Sequence, residues 1–442
     1  MLSAVTGPAT SPLRIEGRRV SGGETLIRCV PDGPFVLEER DSDTQNIVSA
    51  EVMRERTFTH VAQYSGYPIW REAAPNTRIR LNATNLLPVE EYISVNSLSG
   101  AFTFDIKTSP GALGMSRLLG EADGWFNTLP RAPLGTFRLF AHQRQPLNLP
   151  GIRAGYATVR TATKMMTIQE GAENLLDLTF VDGTPRTTHV SWNAELVDRT
   201  LGLGVRHPNL RVVEDFVAAW VEPRTGFPYW SGSAALFFLD TPTAPQVEAD
   251  VAYVSGYDAS WRASLSHWKS AFARLSNGVE ASVGYRETRS DELNAVEDVQ
   301  VRLSPVTNIR VNGQPASAPI GSATLTPTLT WDPPTVGNPT SYEVSIAEVV
   351  DGEREVSPRL FVTTHDPRLE ILAGWLRPGV KYAFGVTAIA DTDEAKLQAW
   401  ETTDIVDPGV PASSPVTASS STPTPSDPSI LEGHGSRRGL HP

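Results

Sequence analysis

Two short stretches of the sequence carry side chains that could bind a ligand, and the first has the oxygen atoms that a hard cation requires. In DSDTQN, residues 41–46, the side chains of Asp41, Asp43 and Asn46 supply carboxylate and amide oxygens, which are the ligands that Ca²⁺ takes in proteins. The stretch lacks the glycine and the distal glutamate of an EF-hand loop. We interpret it either as a Ca²⁺ site or as a charged turn, and we predict no other cofactor.

The second stretch, GFPYWSG, is aromatic and spans residues 226–232. Its central pair, Tyr229 and Trp230, lies between glycines. Rings that are exposed can stack on a sugar, whereas rings that are buried fill a core. The pair is therefore either a glycan contact or part of a core.

The signatures of the common catalytic sites are missing from the sequence. It contains no G-x-S-x-G, no H-E-x-x-H and no G-x-x-x-x-G-K-[ST], which are the motifs of α/β-hydrolases, zinc proteases and P-loop enzymes. The eight histidines are scattered singly, and the 50 acidic residues form no local motif that singles out two of them for glycoside hydrolysis. We predict no catalytic residue, and the sequence favours a protein that is not an enzyme.

Charge and cysteine content exclude several classes of partner. The net charge is −12, and an acidic chain repels phosphate backbones and anionic lipid surfaces. No run of eighteen apolar residues occurs, so we predict neither a nucleic-acid partner nor a membrane span. Cys29 is the single cysteine, which excludes an intrachain disulfide. No apolar run of the kind found in a lipid-anchor signal precedes it, so we expect a buried or half-buried thiol.

The elements that must position these residues are short strands. Proline (35 residues) and glycine (34) are spread along the whole chain and separate β-branched or aromatic runs, a pattern typical of sandwiches and barrels. In TRIRLNATNL, apolar side chains at 79, 81 and 83 alternate with polar ones at 78, 80 and 82. Similar runs occur at 101–107, 136–142, 174–183, 233–242 and 247–258. The predicted fold class is mainly β, as a multidomain β-sandwich architecture.

One segment has a different period. In DASWRASLSHWKSAFARLSNG the apolar residues recur every three or four positions, which is the spacing of one face of a helix; they are Trp261, Leu265, Trp268, Phe272 and Leu275. We predict a short helix near 259–275.

Clusters of proline, glycine and serine suggest where domains end. We predict a poorly ordered segment at 1–30, β-rich domains at 31–150 and 151–304, and a further domain at 305–395. Residues 396–442 are predicted to be a disordered tail, because PASSPVTASSSTPTPSDPS cannot bury enough apolar area to offset the loss of backbone entropy.

The domain at 305–395 carries the most specific pattern. LTWDPP places Trp331 in a strand that two prolines end, since proline cannot donate a ladder hydrogen bond. Tyr342 stands in the alternating run SYEVSIAEV. In LRPGVKY, Leu376 precedes Pro378, which presets a turn, and Tyr382 begins the next strand at a tight corner.

These residues resemble those of a fibronectin type III domain. The resemblance implies an immunoglobulin-like sandwich in which Trp331 and Tyr342 are core aromatics and Leu-x-Pro-Gly-x-x-Tyr forms a tyrosine corner. It implies a spacer or adhesion module of exported proteins and supplies no catalytic residue. The stretch GQPASAPIGS lengthens the link between the first two strands, and the loop after Ala390 holds no Arg-Gly-Asp, so integrin-type adhesion is not implied.

Three functions remain open. The first is a non-enzymatic secreted or cell-envelope modular protein that acts by binding, adhesion or spacing, with a protein or glycan at a surface as partner. The second is a carbohydrate-active hydrolase with residues 1–304 as catalytic unit and the fibronectin-like domain as accessory. The third is an intracellular β-rich scaffold, which applies if the sequence starts at the true N-terminus, because the sequence shows no secretory signal. We expect an extracellular or cell-envelope location; the oligomeric state is not predicted.

Overall fold

The computed structural model of the chain is rich in β-strands. The described residues are 2–19, 25–31, 35–40, 47–53, 70–72, 74, 76–88, 92–97, 103–107, 112–118, 131–133, 136–201, 211–221, 237–239, 242–255, 262–289, 297–391 and 395–408. As predicted, the fold class is mainly β, and the strands form several sheets of a multidomain β-sandwich architecture. No helix within these ranges is long and apolar enough to span a lipid bilayer.

The N-terminal module, residues 2–53, is a set of short strands with its own small core. The strands are β1 (Leu2–Thr6), β2 (Leu13–Glu16), β3 (Arg18–Arg19), β4 (Thr25–Leu26), β5 (Phe35–Arg40) and β6 (Ile47–Met53). β1 lies between β2 and β5, and β5 pairs with β6, all antiparallel. The small core consists of Ala4, Phe35, Leu37 and Met53, with Ile27 and Val30 packed against it.

This module corrects the prediction of a poorly ordered segment at 1–30. The described residues from 2 to 31 include four strands, and β1 has a partner on each edge. The prediction was wrong because these strands are stabilised by β5 and by residues much farther along the chain, which a local pattern does not show. Cys29, expected to be buried or half-buried, is exposed.

The first sandwich, residues 70–181, has two sheets around one core. Its strands are β7 (Trp70–Glu72), β8 (Arg78–Thr84), β9 (Tyr92–Ser97), β10 (Thr103–Lys107), β11 (Gly114–Leu118), β12 (Arg131–Pro133), β13 (Thr136–Pro146), β14 (Gly155–Thr167) and β15 (Glu173–Thr179). One of these sheets has the order β10-β9-β13-β14 and the other β11-β8-β15, while β7 and β12 pair with each other as a separate two-stranded sheet. Along β8 and β15, buried and more exposed residues alternate as predicted, because each strand covers the core with one face only.

The middle region, residues 184–299, contains the one helix found within the described ranges. Its elements are β16 (Thr184–Asn193), α1 (Ala194–Leu201), β17 (Arg211–Val221), β18 (Phe237–Leu239), β19 (Gln246–Ser255), β20 (Arg262–Arg274), β21 (Glu280–Arg289) and β22 (Glu297–Val299). Asn193 caps α1 by accepting a 2.9 Å hydrogen bond from the amide of Leu196, an N-cap geometry.

The helix predicted near 259–275 is wrong, because Arg262–Arg274 form strand β20. β20 pairs antiparallel with β17 on one edge, over residues 262–272, and with β21 on the other, over residues 265–274. Ladders on both edges satisfy most of the backbone of this segment, so tertiary pairing overrides the helical spacing of its large apolar side chains.

The fibronectin-like sandwich, residues 305–408, has the two-sheet arrangement that the resemblance implies. Its strands are β23 (Thr307–Val311), β24 (Gln314–Pro315), β25 (Ile320–Ser322), β26 (Thr328–Asp332), β27 (Ser341–Val349), β28 (Ser357–Thr364), β29 (Arg368–Glu370), β30 (Lys381–Asp391), β31 (Ala395–Thr402) and β32 (Val406–Pro408). One sheet is β24-β23-β26-β29 and the other β28-β27-β30-β31. The predicted tail therefore begins too early at 396, since β31 and β32 complete the second sheet; residues 409–442 lie outside the described ranges.

Strand pairing joins all these parts into one series. Beyond β28, the second sheet continues through β6, β5, β1 and β2 of the N-terminal module. Beyond β31 it continues through β21, β20, β17 and β18, and then β14, β13, β9 and β10. The boundaries near 150 and 304 stay predictions, but backbone hydrogen bonds cross both of them.

Candidate functional site

The sequence-predicted structural residues meet inside the fibronectin-like sandwich. Trp331 on β26 and Tyr342 on β27 lie edge to face between the two sheets, with ring centroids 5.3 Å apart. Tyr382 is fully buried, and its hydroxyl accepts a 2.9 Å hydrogen bond from the amide of Arg377. The phenol therefore bonds back to the chain five residues upstream, as in a tyrosine corner.

The residues around this corner have types that suit their positions. Leu376 is 3 % exposed and belongs to the main core, whereas Pro378 is exposed in the turn. Gly379 has φ +72°, a left-handed conformation that side chains other than glycine rarely adopt. Open space surrounds a Cβ built there, so the backbone angle and not crowding accounts for the glycine.

The other predicted site residues lie outside the described ranges. They are Tyr229, Trp230, Asp41, Asp43 and Asn46. Within those ranges, no group of three or more histidine, cysteine, aspartate or glutamate side chains is placed to hold a metal ion.

The most specific polar contacts between distant parts of the chain lie where the N-terminal module meets the fibronectin-like sandwich. Glu38 on β5 is fully buried, and its carboxylate accepts hydrogen bonds from Arg14 at 3.1 and 3.2 Å and from the indole of Trp375 at 2.9 Å. Arg14 also donates to the carbonyl of Ala373 at 2.7 Å. A buried charge of this kind is stable only while its partners remain. We call Arg14, Glu38, Ala373 and Trp375 the N-terminal joint.

Backbone pairing completes the N-terminal joint. β6 runs parallel to β28, with Ser49, Ala50 and Glu51 opposite Phe361, Val362 and Thr363. The amide of Ala373 donates to the carbonyl of Ala9 at 2.8 Å. β28 would otherwise be an edge strand of the fibronectin-like sandwich, and edge strands template pairing with other chains. The N-terminal module covers that edge.

A second joint is formed where β21 of the middle region pairs antiparallel with β31 of the fibronectin-like sandwich. The hydroxyl of Tyr285 on β21 donates to Glu287 at 2.6 Å, and Arg302 lies 3.7 Å from the same carboxylate. Burial, followed by the charge of Glu287, raises the pKa of Tyr285, so the phenol remains a donor at neutral pH. On the next strand, the side chain of Thr402 donates to the carbonyl of Ser282 at 2.9 Å.

Close backbone approach within the middle region holds β21, the strand of this joint, against β20. A Cβ at Gly284 would lie 2.4 Å from the carbonyl oxygen of Lys269 and 2.8 Å from the Cα of Ser270. Only glycine lets β20 and β21 pair at this distance. Lys269 is buried against Asp198 of α1, and burial lowers the pKa of Lys269 to about 8.

One exposed cluster has residue types that could do acid–base chemistry. His189 on β16 bonds to Asp250 at 2.7 Å and to Glu248 at 3.0 Å, and Ser191 donates to Glu248 at 3.0 Å. The bonds to Asp250 and then Glu248 raise the pKa of His189. Because both ring nitrogens are engaged by carboxylates and Ser191 bonds to Glu248, the imidazole is not positioned to activate that hydroxyl. The cluster is better explained as a surface ion network.

A buried pair in the first sandwich is likewise not arranged for catalysis. His142 is fully buried, and burial followed by the charge of Arg144 lowers the pKa of His142. The guanidinium of Arg144 lies 3.2 Å from the ring nitrogen of His142 and stacks over Tyr156 at 4.4 Å. The imidazole of His142 is therefore neutral at neutral pH, and Arg144 engages one of its ring nitrogens.

A shallow hollow of about 350 Å³ lies between β14 and β15 and is open to solvent. Its lining mixes Lys164, Gln169 and Glu173 with the exposed side chains of Met165 and Leu175. A hollow this open lacks the enclosure that ligand sites have. The two joints are therefore the best-defined functional features of the described chain.

Sequence reasoning did not identify the residues of either joint. Glu38 and Trp375 are separated by more than three hundred positions, and no local motif marks such a contact.

Comparisons with known proteins add little to this picture. No family model matches the chain, and no curated protein matches it. Among solved structures, a suspected cell adhesion protein from Bacteroides eggerthii is 10 % identical, with 78 % of this chain and 99 % of that chain covered and a TM-score of 0.17. The FN1–FN3 domains of chicken CNTN1 are 9 % identical, with 72 % and 90 % covered and a TM-score of 0.15. At these TM-scores the overall arrangements differ, so neither protein's role is carried over to this chain.

Proposed function

We propose that this chain is a non-enzymatic modular protein of the cell exterior or envelope, and that it acts mainly as a spacer that holds binding surfaces apart. The observation that supports this is the unbroken series of strand pairings from β2 through the fibronectin-like sandwich to β10. Modules joined by flexible linkers change their distance freely, whereas modules joined by ladder hydrogen bonds keep it.

The two joints make that series stiff. Each combines a ladder with side-chain hydrogen bonds that cross it: those to Glu38 in the N-terminal joint, and those from Trp400 and Thr402 to Ser282 in the second joint. Bending either joint would expose or separate these groups, at a cost of about 1–3 kcal/mol for each unsatisfied partner. A spacer requires this resistance, and a catalyst does not.

Distance measurements test the proposal. Spin labels are placed at exposed Leu175 in the first sandwich and exposed Val336 in the fibronectin-like sandwich, with Cys29→Ser as background, and their separation is measured by pulsed electron paramagnetic resonance. We expect a narrow distribution, as narrow as that of a control pair at Val336 and Val350 within one module. A broad distribution for the first pair alone would reject a stiff spacer.

Activity assays separate the spacer from the hydrolase alternative. A screen of glycosidase, esterase and peptidase substrates is expected to give no turnover above background. If the purified protein does turn over a substrate, the spacer proposal is wrong. The chain would then be a carbohydrate-active or other hydrolase with residues 1–304 as catalytic unit.

A further inference from the structure

We infer that the N-terminal module of one copy of this chain can replace the N-terminal module of another, so that copies become linked through β6 and β28. The inference goes beyond the spacer function and does not require it. It concerns a partner, a second copy of the same chain, and the surface that receives it.

The module is built as a unit that can move as a whole. Its strands β1, β2, β5 and β6 pair with one another, and its small core is separate from the main core. A second face, which includes Val5 and Ala50, packs into the main core. The module therefore keeps its own strand pairing when it leaves one sandwich and docks on another.

The receiving surface is specific. It consists of the edge of β28 at residues 361–363, the carbonyl and amide of Ala373, and the indole of Trp375. The module presents the matching groups in one register: the backbone of β6, the guanidinium of Arg14, the carbonyl of Ala9 and the carboxylate of Glu38. A chemically identical module from a second copy would satisfy every one of these contacts.

The length of the connecting chain permits the exchange. Sixteen residues, 54–69, separate β6 from β7, and a chain of that length spans about 50 Å when extended. The contacts are the same within one chain and between two chains. The equilibrium between single chains and linked copies therefore depends on the effective concentration of the chain's own module relative to the concentration of other copies. Exchange of identical elements is a common route to linked copies at little energetic cost.

Two cysteine variants carried on separate chains test the inference. Ala50→Cys and Val362→Cys are made in a Cys29→Ser background with different affinity tags, because Ala50 and Val362 are direct register partners at the separation of neighbouring strands, which a disulfide can bridge. The two proteins are mixed, unfolded and refolded together at high concentration, and then oxidised. We expect a disulfide-linked product that carries both tags and has the circular dichroism spectrum of the parent protein.

Two control samples test the strand register and the specificity of the link. The double variant on one chain is expected to close its disulfide within a monomer at low concentration, which verifies the register. A mixture of Ala50→Cys with Val350→Cys, an exposed position that is not paired with β6, is expected to remain unlinked. The inference is overturned if the double variant closes but the mixed single variants do not link, if the Val350 mixture links equally well, or if the double variant fails to close.

Discussion

At the scale of single residues, the tyrosine corner shows how one hydroxyl fixes a crossing between sheets. The phenol of Tyr382 is fully buried, and its oxygen holds the amide of Arg377 at 2.9 Å. Without that oxygen the amide would be left unsatisfied, and an unsatisfied buried group costs about 1–3 kcal/mol.

We therefore predict that Tyr382→Phe lowers the free energy of unfolding by about 1–3 kcal/mol, measured by urea denaturation followed by tryptophan fluorescence. Tyr342→Phe is the matched control, because its ring packs against Trp331 and its hydroxyl takes no part in the corner. Equal losses from the two variants would contradict a special role for the hydroxyl of Tyr382.

The surface network around His189 makes a prediction about pH. Its hydrogen bonds to Asp250 and Glu248 raise the pKa of His189, so the folded chain binds this proton more tightly than the unfolded chain. The resulting stability is present below the unfolded pKa, about 6.5, and is lost as pH rises through the higher folded value. In Asp250→Asn, an NMR titration should show the pKa of His189 shifted down toward its ordinary value. An unchanged titration would mean that the network does not hold the proton.

The residues of the tyrosine corner could be predicted from the sequence, whereas Glu38 of the N-terminal joint could not. Leucine, proline, glycine and tyrosine stand within seven positions at the corner. The local backbone conformation of the turn accounts for the proline and the glycine, so the pattern can be found in the sequence. Glu38 was not predictable, because a glutamate on an alternating strand is normally solvated and its partners Arg14 and Trp375 are brought to it by the fold.

At the scale of elements, strand β20 illustrates how periodicity can mislead. Its apolar residues match a helix face, yet β17 and β21 satisfy both of its edges. Strands such as β8 and β15 were predicted well because one face meets a core and the other solvent. The helix α1 was missed, although Asn193 as cap and the pair Glu195–Arg199 one turn apart are local signals of a helix start.

The β20–β21 pair leads to a prediction that contrasts two glycines. In Gly284→Ala the new methyl would meet backbone atoms of β20 at 2.4 and 2.8 Å, whereas in Gly385→Ala it would meet the hydroxyl of Ser345, which can rotate away. We expect Gly284→Ala to lower the unfolding free energy by about 1–3 kcal/mol and Gly385→Ala to cost clearly less. Chemical denaturation of both variants checks this, and a larger loss at Gly385 would contradict the close approach.

At the scale of the whole molecule, the N-terminal joint decides which residues fold together. Residues 2–53 were expected to be separate from the fibronectin-like domain, but they extend its second sheet. Domain boundaries drawn from composition assume that a domain is continuous in sequence. That assumption fails here, because the connection is made by ladder bonds between strands three hundred residues apart.

Removing the charge at the centre of this joint should loosen the whole N-terminal module. We predict that Glu38→Ala, which removes the acceptor of the Trp375 indole and leaves Arg14 with the carbonyl of Ala373, destabilises the protein by about 3–5 kcal/mol. It should also raise amide hydrogen exchange in β28 more than in β30. Glu353→Ala, at an exposed position, is the control and should alter neither. Unchanged exchange in β28 would show that the module is held by other contacts.

The pairing of β6 with β28 also has a consequence for the order of synthesis. A ribosome makes residues 49–51 more than three hundred residues before residues 361–363, which at about 5–20 residues per second amounts to roughly 15–60 s. Throughout that interval the first strands have their neighbours within the module but lack the strand that completes their sheet. The edge of β6 therefore stays open while about three hundred further residues are made, so a chaperone that shields unpaired strand edges would have its longest opportunity at residues 2–53.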